Sequence, residues 1–322
     1  MKLYDFVKKY GWTAQVIIDS LPGARPEGNI WMVDSGATNA ANTADESIHG
    51  CSWDTPFATL NYAISRCTAS QGDIILLAPG HAETLSTTAT ASGTTTTEVG
   101  VDKAGITILG IGSAALRPTF TCSATAGQIA VLAANVTIEN ILMISSVADL
   151  TDFITLDAAS DGCTIRNCEF RDGSSILEVV AMIDVATTVD DLTIEGCRFF
   201  STDANDAGLA AIRFAGSGAR PTIRNNYFRG DFNTAAILGT VGAVTNALIE
   251  NNYINNIDAA ADNCAIAMKS DATGMIVRNL VHTGKDATAG IVAAAMACCE
   301  NYNTTVEAES GNLCPAAGDW AT

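Results

Sequence analysis

Basic side chains are scarce in this sequence. Lys and Arg together number 17, against 35 Asp and Glu in 322 residues, which gives a formal net charge of −18. A surface this acidic repels the phosphates of DNA and RNA, so the composition argues against a nucleic-acid partner.

Long apolar runs and aromatic residues are also scarce. No stretch approaches the roughly 18 apolar residues that a membrane-spanning helix needs, so we expect no membrane insertion. The first residues, "MKLYDFVKKYGW", lack the apolar run of a secretory signal, so we expect a chain made in a host cytoplasm. Aromatics are only 6% of a chain that is 48% hydrophobic, which still provides ample material for a core and excludes a disordered chain.

Cysteine is present, with ten residues, but not in a metal-binding pattern. No CxxC occurs, and Cys168 and Cys197 fall at the same position of a repeat described below. This placement favours small, buried, reduced thiols; disulfides stay open as an alternative. We expect no metal and no cofactor.

What the sequence does contain is a repeat of 26 to 30 residues. It is visible in "NVTIENILMI", "GCTIRNCEFR", "DLTIEGCRFF", "RPTIRNNYFR" and "NALIENNYIN". Aligning these segments places one apolar residue per period in a single column: Ile108, Ile138, Ile165, Ile194, Ile223, Ile249 and Val277. A second apolar column includes "FITLDA" from 153 and "AAIRFA" from 210, and each period holds two or three short strands rich in β-branched residues.

A period of this length is typical of a stacked repeat protein. Three short strands per period predict an all-β fold, a single-stranded right-handed parallel β-helix of about eight or nine coils with an N-terminal amphipathic cap helix. Stacking places equivalent residues of successive coils above one another, so ladders of side chains can be derived from the alignment.

Three ladders follow from the aligned Ile column. An alternating charged ladder directly after it predicts favourable pairing between coils and penalises a slip by one coil; its members are Glu139, Arg166, Glu195, Arg224, Glu250 and Arg278. Asparagines one position later predict a turn at the strand end; they are Asn140, Asn167, Asn225, Asn251 and Asn279. An interior stack comes five residues after the Ile column and comprises Met143, Phe170, Phe199, Phe228 and Ile254, with His282 at its end.

The segment "SWDTPFATLNYAISRCTASQGDIILLAPG" predicts the cap of the column. Thr55 and Pro56 suggest a helix start, and an apolar face follows within a helix at about 56–69. A Pro-led amphipathic helix, then "GD", a strand and "PG", resembles the N-terminal cap of pectate-lyase-like β-helix proteins. This resemblance covers residues 50–85, and the repeats extend it to about 300. It implies the fold and not one activity, because that fold serves lyases, hydrolases, epimerases and phage spikes.

Three regions are therefore expected. Residues 1–49 form an N-terminal arm that packs along the column or docks on a partner, with Trp12 and Trp31 as docking residues. Residues 50–300 form the β-helix, and residues 301–322 a tail that covers the last coil.

Catalytic groups are not obvious. The sequence has three His in different contexts, and its catalytic candidates are Asp190 and Asp191, one coil after Asp161. Asp157 and Asp184 are expected to share a column, and no column of Arg or Lys is expected beside these acids.

The chain resembles bacteriophage β-helix proteins, and this resemblance implies a non-enzymatic virion protein, a capsid decoration or head spike, located in the virion and assembled as a homotrimer. Its expected partners are other copies of itself, the major capsid protein or another virion protein, and a host-surface glycan. Two alternatives stay open. A polysaccharide lyase or hydrolase, as in depolymerase tailspikes, would need convergent carboxylates on one sheet. A carbohydrate-binding adhesin would need exposed aromatic platforms.

Overall fold

The structure is a computed structural model that describes residues 28–43, 49–87, 92–93, 98–202, 208–257, 264–283, 290–305 and 312–314. Residues 1–27, including Trp12, lie outside this range.

The described chain is almost entirely short strands, with one α-helix, α1 (Leu60–Arg66), and one 3-10 turn (Ala114–Leu116). The first fifteen strands are β1 Ile30–Val33, β2 Ile74–Leu77, β3 Ala82–Leu85, β4 Val99–Val101, β5 Thr107–Gly110, β6 Thr119–Cys122, β7 Ile129–Val131, β8 Thr137–Glu139, β9 Leu142–Ser145, β10 Leu150–Leu156, β11 Thr164–Arg166, β12 Glu169–Arg171, β13 Val179–Val185, β14 Thr193–Glu195 and β15 Arg198–Phe200. The others are β16 Ala210–Phe214, β17 Gly218–Ala219, β18 Thr222–Arg224, β19 Tyr227–Gly230, β20 Ala235–Gly239, β21 Val244–Thr245, β22 Ala247–Glu250, β23 Tyr253–Asn256, β24 Cys264–Met268, β25 Gly274–Val277, β26 Leu280–Thr283, β27 Ile291–Val292, β28 Ala297–Cys299, β29 Asn301–Thr305 and β30 Asn312–Cys314.

The strands stack into three long sheets, and the chain visits them in the same order in every coil. Sheet A is β1-β2-β5-β8-β11-β14-β18-β22-β25-β28, and sheet B is β3-β6-β9-β12-β15-β19-β23-β26-β29-β30. Sheet C, with eight strands, is β4-β7-β10-β13-β16-β20-β24-β27. All pairs within these sheets are parallel except β29 with β30. The expected parallel β-helix is confirmed, with about seven full turns between the first and last strands of sheet C.

The corner between sheets A and B has constant geometry over six successive coils. From β8 to β26, two residues separate each A strand from the next B strand. The first of them has a positive φ in successive coils: Asn140, Asn167, Gly196, Asn225, Asn251 and Arg278. Asn and Gly tolerate this left-handed conformation, so the turn repeats without strain at most levels. The connection from sheet B to sheet C instead varies from four residues (146–149) to thirteen (86–98).

The interior is filled by the two apolar ladders, with one correction at the last aligned coil. β22 pairs with β25 so that Ile249 lies beside Ile276, not Val277. The interior column of sheet B continues from Ile254 to Val281, while His282 pairs with Asn255 on the outer side. Because Ile276 and Val277 are both apolar and adjacent, the alignment alone could not decide between them.

The N-terminal end differs from the expectation in two ways. Helix α1 begins after Thr59, whose hydroxyl accepts a hydrogen bond from the Tyr62 amide at 3.4 Å, so Thr55 and Pro56 are not the helix start. β1 is the first strand of sheet A, and Trp31 lies in the interior column beside Ile75, 3% exposed. Trp31 is therefore a core residue and not a docking residue, and the column begins inside the region assigned to the arm.

At the other end, β30 pairs antiparallel with β29 and covers the last strand edge of sheet B. A covered edge has its backbone groups paired and cannot recruit another strand. The described part of residues 301–322 therefore belongs to sheet B.

Candidate functional site

The charged ladder on sheet A forms ion pairs between successive coils. Arg166 Nη2 lies 2.7 Å from Glu139 Oε2, and Arg224 Nη2 lies 3.0 Å from Glu195 Oε2. The last pair is built differently from the expectation: Val277 occupies the strand position beside Glu250, and Arg278 reaches Glu250 at 2.8 Å from the turn position. Each of these ion pairs therefore links two neighbouring coils.

This ladder gives a first prediction. R224E places like charges between Glu195 and Glu250, so we expect the free energy of unfolding to fall by about 1 kcal/mol at low salt and to recover as salt is added. Chemical denaturation at two ionic strengths measures this. The neutral variant Arg224→Gln removes the ion pair without adding a like charge and should lose less stability than R224E; an equal loss in the two variants would contradict repulsion between like charges as the cause.

Asn279, expected in the turn ladder, belongs to a different, buried ladder inside the column. Its members occupy the position after the turn residue and are Asn226, Asn252, Asn279 and Asn301. Each of the first three donates from Nδ2 to Oδ1 of the next, at 3.1, 2.9 and 2.9 Å. Earlier coils carry Cys197 and Cys168 at this position, and the Cys197 amide donates to Asn226 Oδ1 at 2.8 Å. The sequence feature that could have revealed this buried ladder is the second Asn of "RNNY" and "ENNY".

The acids proposed as catalytic candidates serve to link coils. Arg220 forms two hydrogen bonds of 2.7 Å with Asp191 and lies 3.5 Å from Asp190. Asp190 Oδ1 accepts a hydrogen bond from the Ala219 amide, and Asp161 Oδ1 accepts one from the Asp190 amide. The Arg220 guanidinium lowers the pKa of Asp191, so this carboxylate is held ionised and is unsuited to donating a proton.

A second carboxylate cluster lies on the outer side of sheet C and was missed. Asp184 pairs with Thr155, not with Asp157, and Arg213 binds it through two hydrogen bonds of 2.8 Å. Thr155 donates to Asp152 at 2.5 Å, and burial raises the pKa of Asp152 to about 6. The expected common column of Asp157 and Asp184 is wrong, and an arginine does stand beside these acids. Asp152 and Asp184 are only 2% and 5% exposed.

A third acidic pair, Asp172 and Glu178, lies between sheets B and C. Both side chains are buried, and Asp172 Oδ2 accepts hydrogen bonds from Ser201 Oγ and the Thr202 amide. Burial is the main cause that raises the pKa of Asp172 to about 7, and the charge of Glu178 adds to it. The folded chain therefore holds a proton on Asp172 that the unfolded chain releases at a lower pH.

The sign of the pH effect follows from that difference. The folded pKa of Asp172 is above the ordinary value of 3.8, so its contribution to stability is complete below about pH 4 and is lost as pH rises through about 7. We expect Asp172→Asn to flatten this slope and to stabilise the chain at pH 8 by about 1 to 3 kcal/mol. Denaturant unfolding from pH 5 to pH 8 measures it. The exposed Asp149→Asn variant should keep the slope of the unmodified chain; an unchanged slope in Asp172→Asn would refute the assignment.

His81 joins the N-terminal strand to the cap helix. Its Nδ1 accepts from the Ser35 amide at 3.0 Å, and its Nε2 lies 2.7 Å from Glu83 Oε1, which also accepts from the Leu60 amide. The Ser35 hydroxyl instead donates to the Ala82 carbonyl, so these three residues do not form a nucleophilic triad. Their contacts fix the first coil against helix α1.

The outer face of sheet B carries two neighbouring rows of side chains, which we call the sheet B face. It consists of Glu169, Arg171, Arg198, Phe200, Tyr227, Arg229, Tyr253, Leu280 and Tyr302. Tyr227 and Tyr253 stack with ring centroids 5.0 Å apart and planes inclined by 5°, so each covers a ring face of the other. Stacking along the column leaves mainly ring edges and hydroxyl groups toward solvent. Tyr253 is exposed and Tyr227 half-buried, and the two rings do not present the flat platform expected of a carbohydrate-binding adhesin.

An open depression of about 400 Å³ follows the corner between sheets A and B. It is lined by Glu139, Arg166, Asn167, Glu195, Gly196 and Asn225. Gly196 has φ +64°, and a Cβ there would lie 2.7 Å from Asn167 Oδ1, so a larger residue at this level would displace the Asn167 amide. The lining is thus made of residues that already link the coils.

Among the described residues, no group of three or more His, Cys, Asp or Glu is arranged to hold a metal ion. No helix in that part of the chain is long and apolar enough to cross a membrane. Of the cysteine side chains that the structure describes, nine are free thiols and six of these are buried.

Comparisons with known proteins add little beyond the fold. No protein-family model matches the sequence, and no curated protein matches it. A solved structure described as "Rhamnogalacturonan lyase" is similar, with a TM-score of 0.44 and 13% identity over 85% of this chain and 87% of that chain. A likeness at this level gives no information about an activity.

Proposed function

We propose that the chain is a non-enzymatic structural protein of a bacteriophage virion, a capsid decoration or head spike that acts as a rigid column of several copies, three in the simplest case. The observation that supports this proposal is that the outward-pointing charged side chains form ion pairs between successive coils. Arg166, Arg213, Arg220, Arg224 and Arg278 each bind a carboxylate of the preceding coil.

Bonds between successive coils make the column rigid along its axis. Each coil contributes both strands and side-chain pairs to its neighbour, so bending or shearing the column must break several of them at once. The buried Asn ladder and the stacked Phe170, Phe199 and Phe228 add internal links along the same direction. A stiff, regular body of this kind suits a part that projects from a particle.

The lyase or hydrolase alternative is less well supported by the geometry. Asp152 and Asp184 are almost fully buried, and so are Asp172 and Glu178, while the more exposed Asp190 and Asp191 are both bound to Arg220. A general acid or base must come within hydrogen-bond reach of the bond that reacts, and a polymer cannot reach the buried carboxylate oxygens without moving the surrounding chain.

The test is whether the chain is a stoichiometric component of phage particles. Particles purified on a density gradient from a host that carries the gene should contain the chain at a fixed number of copies per major capsid protein. Quantitative mass spectrometry measures that ratio. A chain lacking residues 1–27, which retains β1, tests whether attachment depends on the arm. Absence of the chain from the particles, or catalytic shortening of acidic or neutral polysaccharides by the pure chain, would overturn the proposal.

A further inference from the structure

The sheet B face has the opposite charge to the molecule as a whole. It carries three arginines, Arg171, Arg198 and Arg229, and one acid, Glu169, a balance of 3 − 1 = +2 on a chain of net charge −18. Arg171 is bound to Glu169 and lies over the Phe200 ring at 5.8 Å. Arg198 and Arg229 are exposed, and within the described part of the chain neither has an ion pair. Two guanidinium groups are thus available to a partner.

The same face continues into exposed apolar side chains. Tyr253, Leu280 and Tyr302 follow one another in successive coils and are 37%, 45% and 42% exposed. Arg and Tyr are the residue types that contribute most to the energy of protein–protein interfaces, and a contiguous exposed apolar patch marks such interfaces. The six strands from β12 to β29 are separated by five spacings of about 4.8 Å, which makes a strip about 24 Å long.

A complementary surface exists on the same molecule, at the corner between sheets C and A. Four carboxylates, Asp157, Asp161, Asp190 and Asp191, lie there with one arginine, Arg220, a balance of 1 − 4 = −3. Asp161 precedes β11, and the Asp190–Asp191 pair precedes β14. Arg171 and Arg198 lie on β12 and β15, the next strands of those same two coils, so the acidic corner and the arginines stand at the same height on the column.

We propose that a second copy of this chain docks side by side, its acidic corner of Asp157, Asp161, Asp190 and Asp191 against the sheet B face of the first. When two copies lie side by side with parallel axes and no shift along them, the acidic corner of one copy stands at the same height as the arginines of the other. The contact is heterologous, because one copy contributes the basic strip and the other the acidic corner. Two sheet B faces at equal height would instead place arginine against arginine, which costs energy. This inference rests on the proposed structural role and names the contact between copies.

The test compares the self-association of four chains of full length by sedimentation equilibrium. The unmodified chain should show a weight-average mass above the 33.4 kDa of one copy, and this excess should shrink between about 0.01 M and about 1 M salt, where the screening length falls from about 30 to about 3 Å. R198E should weaken association at least tenfold, because Arg198 stands level with Asp190 and Asp191; R229E should weaken it less, because Arg220 stands at its level on the corner. R224E changes the net charge by the same amount on the outer side of sheet A, away from both surfaces, and it should associate like the unmodified chain. Circular dichroism of each variant establishes that the coil stack is intact.

Three results would overturn the docking contact: a single-copy mass for the unmodified chain at every salt concentration, unchanged association of R198E, or equal weakening by R224E. The last would mean that net charge alone acts. If R198E particles nevertheless contain the chain at the normal copy number, the virion role stands and only the contact between copies is refuted.

Discussion

Replacing Asn252 by alanine should lower the free energy of unfolding by about 3 to 5 kcal/mol. The side chain is 1% exposed, its Oδ1 accepts from the Asn226 amide and Asn226 Nδ2, and its Nδ2 donates to the Ile223 carbonyl at 3.0 Å. Alanine leaves the Asn226 amide, Asn226 Nδ2 and the Ile223 carbonyl without these partners inside the column. Each buried group that loses its hydrogen bond costs about 1 to 3 kcal/mol. Equilibrium denaturation with guanidinium chloride measures the change.

The chain contains its own control for this prediction. Asn251 is the preceding residue but is exposed in the turn, with φ 54°, and it accepts a hydrogen bond from Arg278 Nε. Asn251→Gly keeps the left-handed turn accessible and should cost less than about 1 kcal/mol. Similar losses at the two positions would show that the buried ladder contributes no more than the turn.

Phe199→Ala should cost about 3 to 5 kcal/mol, the usual range for deleting a buried phenyl ring. Phe199 is fully buried, and its ring stacks between Phe170 at 5.0 Å and Phe228 at 4.6 Å. The cavity that alanine would leave cannot close easily, because backbone hydrogen bonds in sheets A, B and C fix the coils above and below it. Thermal and denaturant unfolding should agree on the loss.

The neighbouring Phe200 provides the comparison. Its ring lies on the outer side of sheet B, half-buried, 5.9 Å from Tyr227. Phe200→Ala should lower stability by about 1 kcal/mol or less, and Phe199→Leu, which keeps most of the volume, by about 1.5 kcal/mol. A larger effect at Phe200 than at Phe199 would mean that the assigned inward and outward directions are reversed.

The repeat alone was enough to predict the stack and most of its faces. Ile138, Ile165, Ile194 and Ile223 do pair in one buried column, because a parallel stack brings equivalent residues of successive coils together. The outward direction of the charged residues beside them could also be predicted, because successive side chains of a strand point to opposite faces of the sheet. These conclusions need only the period and the alternation.

The remaining features depend on departures from regular alternation. In β10 the consecutive residues Phe153 and Ile154 are both buried, so side chains before this irregularity, such as Asp152, change sides relative to a regular strand. That shift concerns Asp152 only. Asp184 and Arg213 keep the regular outward direction, and the alignment of Asp184 with Asp157 instead of Thr155 concealed their pairing. The second Asn of "RNNY" turns inward for a similar reason: a left-handed residue before it reverses the direction of the next side chain.

The invariant corner between sheets A and B, and the variable connection from B to C, separate two tasks within one coil. From β8 to β26, two residues at the first corner turn the chain in the same way at every level. The second connection already accommodates lengths from four to thirteen residues without altering strand pairing. Foreign peptides or whole loops grafted between sheets B and C should therefore be displayed at chosen heights along the column, about 4.8 Å apart, while the folded scaffold beneath them stays the same.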